Sequence, residues 1–293
     1  MLEIVEIKKG EDSYPPLLME TTNPPGQIFV RGKLPEYHKP HIAIVGTRKA
    51  TEDGTTMARK LAKNLAERGV VIVSGLAMGI DTAAHRGALD AKGETIAVLG
   101  NGADKIYPAQ NENLAREIFN GHGAIISEYA PGTPGLPHQF LERNRIVAGL
   151  CVATIVIQAP EKSGAIVTAR LAAEYGREVF VFPGTAGDPQ YTGSHKLIRD
   201  GARLVHSLDD ILEDLSLDVE RTEQKELFHT PMPQLSGDEQ NIFNIISEDE
   251  ETASIDKIIE KSKLPPQAVN KIVTELLIKG IIEEDGFGYK IKN

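Results

Sequence analysis

Tryptophan is absent from this 293-residue sequence and aromatic residues make up only 5% of it, so a core must be built from Ile, Val, Leu and Ala. The one cysteine, Cys151, excludes a disulfide framework and a cysteine-based zinc site, and fits a reducing compartment. No apolar run approaches the roughly 20 residues that cross a bilayer. The opening MLEIVEIKKGEDSYPPLL lacks the basic and then apolar pattern of a signal peptide. Also missing are a Walker A sequence, H-E-x-x-H, metal-ligand spacing, a G-x-S-x-G elbow and a carboxylate pair placed for acid–base work. These absences point to a soluble cytosolic chain, not an enzyme, with no cofactor, metal or membrane association.

What is present is 41% hydrophobic and 25% charged residues, enough for one sizeable core and a small second domain. The formal net charge of −10 is unevenly placed: residues 216–293 hold 9 basic against 16 acidic side chains, leaving residues 1–215 nearly balanced. A local basic pocket is therefore compatible with the larger part, whereas the C-terminal part repels phosphate as a whole.

Residues 1–40 read as a lead-in with one short strand, Gln27–Val30, punctuated by Pro15, Pro16, Pro24 and Pro25. From 41 to 215, continuous β-branched runs (42–45, 70–73, 95–99, 124–126, 152–157, 178–182, 203–205) suit strands buried on both faces. Helical spacing between them, as in Ala58, Leu61, Ala62 and Leu65, predicts a Rossmann-like, doubly wound, mostly parallel α/β sheet. Residues 216–235 read as a polar linker. Residues 236–293 open with a capping-box spacing at Ser236–Glu239 and predict helices at 237–247, 254–262 and 266–279 followed by a short hairpin, the layout of a winged helix.

Ligands of a doubly wound sheet bind beyond the carboxyl ends of its strands, so the loops there carry the argument. VGTRKAT offers Gly46, Thr47 and Arg48 as a phosphate cradle, and SGLAMGIDTAAHRGAL offers Ser74 and Gly75 in the corresponding place. Asp81 and His85 lie four apart on a helix and read best as an Asp near a helix start with the His bonded to it. FLERNRIVAGL supplies Phe140, Arg143, Asn144 and Arg145: one arginine to hold Glu128 and Glu142, the other to face a ligand, and a phenylalanine able to stack on a base. Ser163-Gly164 and Gly193-Ser194 open further helices, the second followed by Lys196. Together these loops describe a binder of phosphate or nucleic acid.

VGTRKAT, SGLAMGIDTAAHRGAL, TIAVLGNGADKIYP, GAIISEY, RNRIVAGL, SGAIVTA and GSHKLIRDGA also resemble, in order, the DNA-processing protein A family. The resemblance runs from about Tyr14 to Ala202, and many members carry a winged-helix tail. It implies a single-stranded DNA-binding protein without nucleotide hydrolysis. Such a protein shields incoming strands and loads RecA recombinase during natural transformation or recombination, and forms a homodimer through the Rossmann-like domain. Its DNA pocket would use Gly46, Thr47 and Arg48 with Phe140, Arg143, Asn144 and Arg145, neighbouring loops adding backbone contacts. Three departures stand out. The sequence begins too late for the small helical domain with which members commonly start, Leu141 replaces the usual Pro after Phe140, and His195 stands where an Asn is usual.

Two other readings come from different classes. A nucleotide phosphoribohydrolase on a related fold needs Pro-Gly-Gly-x-Gly-Thr-x-x-Glu, of which only Pro183-Gly184-Thr185 is present. A ligand-sensing transcriptional regulator would rest on the winged helix alone. That helix offers Gln267, Asn270, Lys271 and Thr274 within an acidic unit, which argues against reading duplex DNA.

Overall fold

The computed structural model describes residues 3–217, 235, 237–247, 252–278, 281–285 and 288–291. The chain divides into two compact units, Met1–Leu227 and Phe228–Asn293.

The first unit begins with β1 (Ile4–Lys8), α1 (Pro16–Met19) and β2 (Gln27–Gly32). It continues with β3 (His41–Val45), α2 (Glu52–Ala66), β4 (Val71–Ser74), α3 (Ile80–Asp90), β5 (Thr95–Leu99), α4 (Glu112–Phe119) and β6 (Gly123–Ser127). The second half holds α5 (Pro137–Glu142), α6 (Asn144–Gly149), β7 (Ala153–Val156), α7 (Gly164–Glu174), β8 (Glu178–Val181), α8 (Thr192–Arg199), β9 (Arg203–Leu204) and α9 (Leu208–Asp214).

The strands form one nine-stranded sheet in the order β1-β2-β6-β5-β4-β3-β7-β8-β9. From β6 through β9 every neighbouring pair is parallel. The first 40 residues depart from the expectation of a lead-in with one strand. Both β1 and β2 extend the sheet: β2 pairs antiparallel with β6, and β1 pairs antiparallel with β2 at the edge. The sequence IVEIK mixes charge into an edge strand with one buried residue, so it lacks the continuous apolar run of its neighbours.

Alternation along the strands sends residues to opposite faces. Ala43 and Val45 pack with Ile146, Val147, Ala165 and Ala169 of α6 and α7. Ile42 and Ile44 pack on the other face with Ala58, Leu61 and Leu65 of α2 and Ile80 and Ala84 of α3. The sheet is therefore covered on both sides, which is what its unbroken apolar strands require. Helix α2 starts where the Thr51 hydroxyl accepts from Gly54 N–H, with Glu52 and Asp53 in its positive first turn.

The second unit holds α10 (Gly237–Ser247), α11 (Ile255–Ser262) and α12 (Pro266–Ile278), then the antiparallel pair β10 (Ile282–Asp285) and β11 (Gly288–Ile291). Ile242, Ile245, Ile258, Val269, Val273 and Leu276 form its core, and three helices with a hairpin make a winged helix. The expected linker falls almost wholly outside the described residues, as does the expected Ser236 cap. Among the described residues no helix is long and apolar enough to cross a membrane.

Candidate nucleic-acid interface

The chain leaves β3 toward β4 on one side and leaves the adjacent β7 toward β8 on the other. That is the topological switch point of a doubly wound sheet, and a cleft of about 580 Å³ opens there. Its walls come from the loops after β3, β4, β5 and β7 and from α5 and α6.

The loop after β3 is held from both sides. Thr47 N–H donates to the Gln158 carbonyl at 2.7 Å, and Ile80 N–H donates to the Thr47 carbonyl at 3.3 Å. Gly46 is required by packing, since a β-carbon there would stand 2.5 Å from Cγ1 of Ile80. The buried Thr47 accepts from Lys49 N–H, while Thr51 caps α2 and receives a bond from the Gln158 side chain. These backbone and hydroxyl groups are thus already engaged. What the loop presents is Arg48 and Lys49, both exposed.

Behind them the cleft floor is built on Arg143. Its side chain is buried, and Nη1 donates to the Gly75 carbonyl at 2.6 Å and to the Val98 carbonyl. Gly75 N–H in turn donates to Asp81 at 3.1 Å, as Ala77 N–H does at 3.3 Å. The backbone of one residue, Gly75, therefore links a buried carboxylate to a buried guanidinium. Burial pulls Arg143 down to about 10 against the upward pull of Asp81, with exposed Arg48 lowering it further. Burial likewise pushes the Asp81 carboxyl up, opposed by Arg143 and by the two backbone donors. Asp81 is the one carboxylate among the described lining residues.

The opposite wall is partly apolar. Phe140 is half-buried and seated against Gly100 and Gly135, where a β-carbon would come within 3.0 Å of its ring at either position. Its ring centroid lies 5.1 Å from that of Tyr107. Asn144 Nδ2 donates to the Gly164 carbonyl at 3.3 Å, joining α6 to the start of α7, where Ser163 Oγ accepts from Ala165 N–H. A β-carbon at Gly164 would meet only Asn144 Nδ2, at 3.8 Å, and the exposed Lys162 completes the rim.

The cleft thus brings together Gly46, Thr47, Arg48, Gly75, Phe140, Arg143, Asn144, Ser163 and Gly164. Three expected residues lie elsewhere. Ser74 is fully buried and its hydroxyl donates to the Ile44 carbonyl at 2.7 Å, stitching β4 to β3. Arg145 points away, pairing with Glu128 and donating to the Asn23 carbonyl at 3.0 Å. Lys196 is exposed on α8, outside the lining. The start of that helix is occupied by the chain itself, since Gly193 and Ser194 N–H both donate to the Ala159 carbonyl. His85 bonds to Thr95 Oγ1 at 2.8 Å rather than to Asp81.

Reading the sequence missed Lys49, Tyr107 and Lys162. Tyr107 closes the quoted motif TIAVLGNGADKIYP, and its signal was a large ring at a strand-end loop. Among the described residues no group of three or more His, Cys, Asp or Glu side chains is placed to hold a metal ion.

Residues 6–216 match the family model of DNA recombination-mediator protein A, and residues 228–286 match the DprA winged helix domain. Protein Smf of Escherichia coli is 38% identical over 278 residues, spanning 92% of this chain and 72% of the relative. DNA processing protein DprA of Streptococcus pneumoniae is 44% identical over 204 residues, spanning 70% of this chain and 72% of the relative. The X-ray structure of the Streptococcus pneumoniae protein superposes with a TM-score of 0.68 at 41% identity, covering 72% of this chain and 74% of that one. The DNA processing protein A of Helicobacter pylori, whose structure addresses its single-stranded DNA binding mode, superposes with a TM-score of 0.66 at 31% identity, covering 73% and 96%. The order of motifs, the doubly wound sheet and the winged helix agree with these matches: the chain belongs to the DNA recombination-mediator protein A family.

Proposed function

We propose that the chain binds single-stranded DNA in the switch-point cleft, shields it, and passes it to the RecA recombinase during natural transformation or recombination. The observation that carries this reading is the pairing of exposed cations Arg48, Lys49 and Lys162 with the rings of Phe140 and Tyr107 around one cleft. Cations follow a phosphate backbone, and aromatic rings accept bases that are not already stacked and paired. The single-stranded DNA binding of the Helicobacter pylori relative supports the same reading. The residues assigned to contact with the strand are Arg48, Lys49, Tyr107, Phe140, Asn144, Lys162, Ser163 and Gly164, with Gly46 and Thr47 shaping the loop that presents Arg48 and Arg143 acting from beneath by holding Gly75.

The reading is of a binding protein rather than an enzyme. Asp81, the lining carboxylate, is engaged by two backbone N–H groups and faces Arg143, which leaves it unsuited to proton transfer with a ligand. A homodimer formed through the sheet-bearing unit, in the cytoplasm, belongs to the same proposal.

The test is binding of a labelled single strand of about 35 nucleotides and of its duplex across a salt series, wild type beside Arg48→Ala. Preference for the single strand, lost in the variant, is expected. No single-strand binding by the wild type at low salt would overturn the reading.

A further inference from the structure

We infer that Tyr107 is the platform on which an unpaired base stacks, and that it gives the cleft its discrimination between single strands and duplex. The inference rests on the single-strand reading above and deepens it. Tyr107 is 54% exposed, a large ring left open to solvent at the lip of a cleft whose other walls carry charge. Its hydroxyl has no hydrogen-bond partner among the described residues, so the side chain is not held there by a polar network. One side is supported by Phe140 at a centroid distance of 5.1 Å and an interplanar angle of 43°. Phe140 is seated closely against Gly100 and Gly135, where even an added β-carbon would stand 3.0 Å from its ring. Leu141, 53% exposed, continues the apolar strip on the same wall.

A ligand made only of phosphate would leave this strip unused, and an apolar ligand would leave Arg48, Lys49 and Lys162 unused. A strand with an anionic backbone and planar, unpaired bases uses both. Every base has a π-face, so stacking on Tyr107 tolerates any sequence. Bases in a duplex keep their faces against one another and cannot offer one.

The chain has no tryptophan, so Tyr107→Trp introduces a single indole at this position. We expect a 35-nucleotide thymidine strand to quench its fluorescence, and a strand of equal length and charge without bases to leave it bright. Tyr107→Ala should lower affinity for the thymidine strand about ten-fold, with the salt slope of wild type and a smaller preference over duplex. Tyr107→Phe should keep wild-type affinity, which also shows that position 107 tolerates replacement. An unquenched indole on a protein whose binding is visible by strand anisotropy would overturn the inference while leaving the single-strand reading intact, as would wild-type affinity in Tyr107→Ala. A wild-type protein that binds no single strand would overturn both.

Discussion

Gly75 and Arg143 leave each other no room. A β-carbon at Gly75 would stand 2.4 Å from Nη1 of Arg143, while that same nitrogen donates to the Gly75 carbonyl. The guanidinium is buried and bonded at Val98 as well, so it cannot swing aside as a surface side chain would. Gly75→Ala should therefore destabilise the first unit by about 1–3 kcal/mol, the usual cost of overpacking. It should also weaken single-strand binding beyond what lost stability explains. Urea unfolding alongside strand affinity, measured where the variant is still folded, checks both parts.

Removing the charge at the same place asks a different question. Arg143→Met leaves the Gly75 and Val98 carbonyls without their charged donor and Asp81 buried with no cation near it, and should cost about 3 kcal/mol. Asp81→Asn in the same chain removes the stranded charge and should recover part of the loss. Thermal unfolding of the two single variants and the double closes the cycle. A double variant no more stable than Arg143→Met would show that the two side chains do not act on one another.

On the proposed reading, cations at the cleft rim meet the strand and those outside it do not. Lys162→Ala should weaken binding of any single-strand sequence alike and reduce the salt slope by about 1. Lys196→Ala, outside the cleft, should leave both unchanged. Titrations at four or five salt concentrations distinguish these outcomes. An equal effect of the two substitutions would mean that the strand follows another path.

Acid sensitivity follows from His85. Its Nδ1 lies 2.8 Å from Thr95 Oγ1, whose own proton goes to the Ile72 carbonyl at 2.6 Å, so Nδ1 must donate and Nε2 is left bare. Nε2 is buried without a partner, and burial, with Arg143 adding to it, pulls the ring down from 6.5 to about 3. Between these values the unfolded chain binds a proton that the folded one refuses. Stability is therefore full above pH 6.5 and falls as pH drops through that window, by about 2 kcal/mol between pH 7 and 5 from this residue. His85→Gln should flatten that part of the stability curve in urea titrations from pH 7 to 5. Unchanged steepness would assign the acid loss to other groups.

The sequence made the parallel sheet legible because its strands are buried on both faces and therefore read as continuous apolar runs, as in HIAIV and TIAVL. It hid β1, whose IVEIK lies at an edge and needs only one buried residue. The cleft was legible at Arg48, which lines it and has no hydrogen-bond or ion-pair partner among the described residues. It was not legible for the arginine pair. Residues two apart on a helical backbone point about 200° from one another, so Arg143 enters the cleft floor and Arg145 the Glu128 network, and composition alone assigns neither. Ser74 misled because a hydroxyl at a strand end serves a neighbouring carbonyl as readily as a ligand. At α8, the expectation that Gly193-Ser194 opens an anion site failed because the Ala159 carbonyl already fills it.

The bond from Thr47 to Gln158 spans 111 residues, and Gln158 reaches back again to Thr51. The loop that presents Arg48 is thus shaped by a strand made long after it during synthesis. Until the segment after β7 lies beside β3, the turn that carries Arg48 lacks its bonds to Gln158. A nascent chain stopped before about residue 160 holds most of the cations but no cleft. On the proposed reading, strand binding therefore requires β7 to stand beside β3, and a growing chain would gain its affinity only after that strand is made.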